Sequence, residues 1–221
     1  RGNYYSLTKT DGVCMVDMPD ENDPSKRVRA PVVMTTGSHH MQIYWFATGD
    51  NRSIGMLPIV YHKESKEWIP RKSAFLVPPS SDSSFETGRW NSSCSSCHAT
   101  HQKPRRLPNG QWDTHVAECG ISCEACHGPA KSPIEVQRSI ASGPSRQPTT
   151  PTLSKYPIVN PVNLDKVASS QVCGQCHSVS DVLRMDSDFV NNGHGYRPGK
   201  DLLETHGVWR RESPEHGLVM A

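Results

Sequence analysis

The sequence predicts an α+β fold with low regular secondary structure: a small β-rich N-terminal unit over residues 1–90, then short helices and loops over 91–221, the two together making one compact body. Three observations lead there. Only 34% of the 221 residues are hydrophobic and 7% aromatic, with 18 prolines and a mean hydropathy of -0.61, so side chains alone make a poor interior. Alternating apolar and polar residues between Arg27 and Val77 read as short strands. Finally, 8 cysteines and 11 histidines stand out in a chain whose other counts are ordinary.

The composition also excludes. No stretch approaches the roughly 18 consecutive apolar residues of a membrane helix, and Arg1 to Thr10 contain no apolar signal segment. The chain begins with Arg rather than Met, as a processed protein or a piece of a longer one does. A formal charge of +2, from 24 basic and 22 acidic residues, is too even to argue for a nucleic-acid partner or an anionic membrane.

Taken in order, the expected strands are Val28 to Met34, Met41 to Ala47, Ile54 to Tyr61 and Ala74 to Val77. Gly37, Gly49-Asp50 and the polar run His62 to Glu67 supply the turns. Ser80 to Trp90 is Ser-rich and reads as loop. Seven prolines fall between Gly128 and Asn163, a polar stretch broken by an expected helix around Ile134 to Ala141, which either wraps an interior group or links two parts. Short helices are expected at Ser180 to Phe189 and near Lys200 to His206.

Six cysteines fall into three pairs, each followed at once by histidine: Cys94-Ser-Ser-Cys97-His98, Cys123-Glu-Ala-Cys126-His127 and Cys173-Gly-Gln-Cys176-His177. One such pentapeptide arises by chance in about one chain in a hundred, so three are a signal. Two thiols at this spacing form thioethers to the two vinyl groups of one haem, and the next histidine then lies under the iron as its proximal ligand. A zinc ribbon using Cys94, Cys97, Cys123 and Cys126 is the bland alternative. It leaves the third pair without a partner and does not explain a histidine after every pair. A thioredoxin-like motif occurs once, in a βαβ unit that is not found here. Three c-type haems would also supply the apolar interior that the composition lacks. Their propionates would move the net charge from +2 to roughly -4.

Each iron has a sixth position to fill. Eight histidines remain: His39, His40, His62, His101, His115, His194, His206 and His216. Bis-histidine ligation implies low potentials and no open site, whereas a methionine such as Met41 or Met185 would raise the potential. The turn at Gly37 leads into a strand on which His40 and Gln42 share a face, making His40 the first distal candidate and His39 its alternative. His115, His194 and His206 can reach over neighbouring haems. His101, three residues past His98, is badly placed for its own haem but can serve another; His62 reads as solvated, and His216 can serve a neighbouring subunit or none. Cys14 and Cys119 are left over, and in the oxidising compartment where haem is attached two such cysteines form a disulfide, a sulfur ligand or a free thiol, of which the disulfide is the expectation.

On these residues the chain resembles the cytochrome c554-like group of multi-haem c-type cytochromes. Gly120-Ile-Ser-Cys-Glu-Ala-Cys-His-Gly-Pro129 is similar to that group's second-haem segment, and Trp90 to Thr100 and Cys173 to Ser178 to its flanking haem segments. Gly37-Ser-His-His-Met-Gln-Ile-Tyr-Trp45, Leu57-Pro58 and Trp68-Ile69 are similar to its β-rich region. The resemblance spans about Val32 to Ser178. Members commonly carry a further Cys-x-x-Cys-His upstream, where this chain has only Cys14, and many have a histidine soon after the Gly-Pro, where Lys131 to Gln137 here has none. One distal ligand would then come from His194, His206 or His216, from another subunit, or from a part of the protein outside this chain.

The function expected is electron transfer by hopping between closely packed haems, since the motifs start only 29 and 50 residues apart. No general acid, base or nucleophile is needed for that. A multi-haem oxidoreductase with one five-coordinate iron, acting on a small nitrogen or sulfur compound, is the alternative; an electron-conducting filament or membrane-complex subunit is a second. Partners are other redox proteins or further copies of the chain. Covalent haem attachment of this kind places the protein on the outer face of the cytoplasmic membrane, periplasmic or extracellular.

Overall fold

The computed structural model describes residues 4–20, 23–74, 88–142, 158–182, 191–193, 195–213 and 217–220. Six strands form an antiparallel meander in which chain neighbours are sheet neighbours: β1 (Ser6–Thr10), β2 (Val13–Pro19), β3 (Arg27–Thr36), β4 (Met41–Ala47), β5 (Ile54–His62) and β6 (Glu67–Pro70). The first hairpin closes on Asp11-Gly12, both at positive φ (49° and 83°), with Thr10 opposite Val13. That is the two-residue turn whose twist matches the strands, and Asp-Gly is the sequence best able to adopt it. At the β3–β4 turn Gly37 has φ 84°, and a Cβ there would lie 2.1 Å from the Met41 carbonyl oxygen, so a side chain is excluded by both conformation and space.

One sheet face carries a core of Val16, Met18, Ala30, Phe46 and Leu57, with Tyr5, Val28, Val32, Tyr44 and Ile59 packed against it. In β2 the alternation Val16, Met18 with Asp17 between them follows the pleat directly. The Phe46 ring lies over Gly55, its cross-strand partner, where a Cβ would fall 2.3 Å from the ring. Tyr44, Tyr61 and Trp68 continue the aromatic packing, with Trp68 centred 5.3 Å from Tyr44 and 5.2 Å from Tyr61. Trp45 points the other way.

The strands expected from Val28, Met41 and Ile54 are present, with β4 at the expected limits. Two corrections belong here. Ala74 closes a helical turn, α1 (Arg71–Ala74), instead of opening a strand, and residues 75–77 lie outside the described residues, as does most of the Ser80–Trp90 stretch. The last strand is β6, begun by Glu67 from a run read as turn: Trp68 and Ile69 pair with Tyr61 and Val60, and pairing decides what polarity alone does not.

The chain divides into two compact units. One comprises Arg1–Ser95 and Pro104–His115, the other Ser96–Lys103 and Val116–Ala221, so the division falls inside the first Cys-x-x-Cys-His. A turn of π-helix, Trp90–Cys94, runs into α2 (Ser95–His98) at that point. In the second unit, α3 (Glu124–His127), α4 (Lys131–Ala141) and α5 (Lys166–His177) accompany a two-stranded pair, β7 (Ala99–Thr100) with β8 (Glu118–Cys119). A three-stranded sheet there has the order β11 (Gly217–Met220), β10 (His206–Ser213), β9 (Ser180–Val182). The helix expected at Ile134 is α4. The helix expected from Ser180 is instead β9 as far as Val182, paired with β10, and 183–189 lie outside the described residues. Near Lys200 the helix reduces to one 3-10 turn, Leu202–Glu204, capped by the Asp201 carboxylate on the Leu203 N–H (3.0 Å). Strand β10 then takes over at His206. The architecture is α+β: an antiparallel sheet accompanied by short helices.

Candidate functional site

The first motif is built onto the sheet. Trp90 packs edge-on against Trp45, ring centroids 5.7 Å apart, on the face of β4 that also presents Met56 of β5. Beside it Asn91 is 1% exposed and its amide is hydrogen-bonded at both ends: Nδ2 donates to the Arg52 carbonyl and to Thr114 Oγ1, both at 2.9 Å, and Oδ1 accepts from the Ile54 N–H at 3.3 Å. Thr114 passes its own hydroxyl proton to the Pro104 carbonyl at 2.8 Å. Trp90 and Asn91 therefore set where the helical turn carrying Cys94 begins.

The second and third motifs belong to the second unit. Cys123 precedes α3, which ends at His127 and is broken by Gly128 at φ 77°. His127 Nδ1 lies 2.7 Å from the Val159 carbonyl oxygen, which can only accept, so the ring proton sits on Nδ1 and Nε2 is the basic nitrogen. This is the outer hydrogen bond that a metal-ligating histidine normally makes. The third motif ends α5, whose start is capped by Asp165 accepting from Val167 and Ala168 (2.8 and 2.9 Å). Gln175, between the two cysteines, donates to the Ala125 carbonyl at 2.9 Å and ties the third motif to the second.

Cys97 and Cys176, the second cysteines of the first and third motifs, line one cavity of about 190 Å³ together with His101, Glu124, Tyr196 and His206. As free thiols the two share a hydrogen bond that draws Cys97 down to about 6 and pushes Cys176 up, Cys97 being the better acid of the pair. His98 and His177 are exposed, and His127 is half-buried.

The other histidines are placed as follows. His206 is buried, and its Nδ1 lies 2.8 Å from Thr205 Oγ1; burial lowers its pKa. His101 sits at the cavity rim with φ 52°, an uncommon conformation for a residue with a side chain. Its pKa is lowered by loss of solvent around the ring and then by the charges of Arg197 and Lys103. In the first unit His39 and His40 are exposed in the β3–β4 turn, with His39 Nδ1 2.8 Å from Ser38 Oγ. His62, half-buried, meets Ser65 Oγ at 2.8 Å. His115 Nε2 is 2.9 Å from the Arg52 guanidinium and 3.5 Å from Asp113. His194, His216 and Met185 lie outside the described residues, and Met41 is exposed at the start of β4. Cys14 on β2 and Cys119 on β8 are exposed thiols.

The second unit fits large apolar cofactors. Among the described residues its buried hydrophobic side chains are Ala99, Val172, Tyr196 and Leu202, against nine in the first unit. Meanwhile Ile121 is 63% exposed, Val167 and Val179 67%, and Val162 80%. Exposed apolar side chains of this kind are ones that a large apolar cofactor could cover. Among the described residues no group of three or more His, Cys, Asp or Glu could hold a bare metal ion, so the four thiolates of the zinc alternative are not gathered. Sequence reasoning missed Asn91, Gln175 and Thr205, whose roles depend on partners 23 to 50 residues away or on the ring tautomer of a neighbour.

Cysteine pairs each followed at once by histidine, here each closing a helical turn, are the sequence feature that defines multihaem c-type cytochromes. Residues 61–128, which contain the first two motifs, match the family described as cytochrome c554 and c-prime. A crystal structure of the outer cell wall cytochrome OcwA is 21% identical, with a TM-score of 0.49 over 78% of this chain and 32% of that one, so the chain spans about a third of that protein's length. No curated protein matches the chain. A family of this kind implies covalently bound haem c. Among the described residues no helix is long and apolar enough to cross a membrane.

Proposed function

We propose that the protein is a tri-haem c-type cytochrome that carries electrons outside the cytoplasm. The six thioether positions are Cys94 and Cys97, Cys123 and Cys126, Cys173 and Cys176, with His98, His127 and His177 as proximal ligands. The observation that carries the reading is the second unit itself: its motifs close helical turns around one cavity, and its apolar side chains are left exposed rather than packed. When bound, haem supplies one-electron chemistry at iron. The protein's part is to hold each ring by two thiols, to fix the ligating nitrogen of His127 through the Val159 carbonyl, and to exclude water from the cavity. Sixth ligands are drawn from His40, His39, His115, His194 and His206. Partners are redox proteins or further copies of the chain. The disulfide expected of Cys14 and Cys119, both exposed thiols in this structure, is read directly by a non-reducing peptide map; both alkylated in the holo-protein refutes it.

The test is haem content and an absorption spectrum of the dithionite-reduced holo-protein before and after carbon monoxide. Three haems per chain with no response to carbon monoxide are expected. Fewer than three haems overturns the count, and a shift in one of them overturns full ligation in favour of an oxidoreductase with an open iron.

A further inference from the structure

We propose that Gln175 is a positioning residue that holds the attachment turns of the second and third haems against each other, and so sets the coupling between those two haems. The inference rests on the tri-haem reading and adds to it a specific residue and a specific pair.

The turn α3 ends at His127 and is followed at once by Gly128-Pro129. In a continuing helix the Ala125 carbonyl would accept from residue 129, but proline has no N–H, so that oxygen is an orphan of the helix end. The Gly128 N–H does not serve it, since it donates to the Glu124 carbonyl at 3.0 Å. Gln175 does: its Nε2 reaches over from the third motif and donates to the Ala125 carbonyl at 2.9 Å. The same nitrogen donates to the Val172 carbonyl of its own helix at 2.7 Å. Both partners are carbonyl oxygens, which only accept, so the nitrogen end of the amide must face them, one proton to each. One bond pins the side chain to α5 and the other carries α5 to α3.

The neighbouring position is committed as well. A Cβ on Gly174 would lie 3.3 Å from Leu202 Cδ2, in a side chain that is 2% exposed. Thioether formation asks for two cysteines and a histidine and leaves the two intervening residues free. In the third motif both serve placement. In the second motif the Glu124 carboxylate instead accepts from the Ala130 N–H of its own segment, at 2.6 Å. Gln175, Ala125 and Cys176 also line one cavity, so the linked turns border a shared space. Electron exchange falls steeply with the separation of two haem edges, and a contact that fixes two attachment turns fixes that separation. A glutamine bonded between two elements is often only structural, and the experiment separates that role from placement.

Electron paramagnetic resonance of the oxidised state, redox titration and thermal melting are recorded on the haem-loaded full chain. The variant is Gln175→Met, of similar length and without a donor. Wild type is expected to show magnetic interaction between two of its three haems. In Gln175→Met the haem count and the response to carbon monoxide stay as in wild type, the interaction is weakened or lost, and two midpoints shift while the third stays. Loss of the amide dipole alone would move one midpoint and leave the interaction intact, so that result overturns the proposal. A lower melting temperature with interaction and midpoints unchanged marks a structural residue and overturns it too, as does a wild type whose three haems are magnetically independent. Should Gln175→Met fail to load three haems, Gln175→Glu, which keeps the shape and at neutral pH has no donor, is read in the same way, and an unchanged interaction there overturns the proposal. A wild-type chain without three haems refutes the tri-haem reading instead, so the two failures are distinct.

Discussion

Asn91 illustrates how much one buried amide can organise. Its hydrogen bonds reach the start of β5, the Arg52 carbonyl and the Thr114 hydroxyl, and without it the Ile54 N–H and the Arg52 carbonyl lose a partner. Asn91→Ala is expected to cost about 3 kcal/mol, the penalty for leaving buried backbone groups unsatisfied, read as a lower urea midpoint for the β-rich unit. A midpoint within experimental error of wild type would show that water replaces the amide. At the surface, Asp23 accepts from the Ser25 hydroxyl (2.6 Å) and amide, and pairs with Lys26 at 3.2 Å. The Ser25 hydroxyl first, then Lys26, hold its carboxyl below the ordinary 3.8. A carboxylate with a depressed folded pKa stabilises above its unfolded value and loses that contribution as pH falls through the folded one. The turn is therefore expected to loosen only in acid below pH 3.8, and Ser25→Ala to move the carboxyl titration upward, as followed by NMR. An unchanged titration in that variant would remove the hydroxyl from the account.

Among the elements, the meander was legible where apolar residues alternate, as in β3, β4 and β5, and illegible at its ends. Strand β1, Ser-Leu-Thr-Lys-Thr, is a polar edge whose side chains are mostly exposed, and β6 follows a charged run; both are strands because a neighbour offers a ladder. The haem-motif turns were legible from chemistry rather than periodicity. The expected helices from Ser180 and Lys200 gave way to β9 and β10 because pairing between two separated segments outweighs weak local preference. Gly55 marks how tightly β4 and β5 are matched: Gly55→Ala pushes a methyl into the Phe46 ring, and a loss of about 1–3 kcal/mol is expected from the displaced core. A thermal melt of the holo-protein measures it. Phe46→Leu in the same chain should recover part of the loss, and failure to recover any would place the strain elsewhere.

For the whole molecule, the two units differ in what holds them together. The first buries nine hydrophobic side chains among the described residues and includes the six-stranded sheet; the second buries four and carries the second and third motifs. Amide hydrogen exchange is therefore expected to divide a chain with all six motif cysteines replaced by alanine. Strands β2 to β5 should keep their protection while α3 and α5 exchange as an open chain does, and both regions should be protected in the holo-protein. Protection of α5 in the cysteine-free chain would show that protein packing alone suffices. The histidine positions followed the same divide: His98, His127 and His177 stood out by adjacency to their cysteine pairs, whereas the burial of His206 beside the cavity is set by tertiary structure alone.

The division inside the first motif bears on biosynthesis. Thioether formation needs Cys94, Cys97 and His98 accessible together, yet the turn leading into them is drawn onto the sheet by Trp90 and Asn91. Hairpins of the β4–β5 kind close in about microseconds, far ahead of any enzymatic ligation. If haem is attached at this motif, the nascent chain would present that site as an arm already clasped at its Trp90–Asn91 end, and maturation would be a contest between a sheet pulling the segment in and a catalyst holding it out.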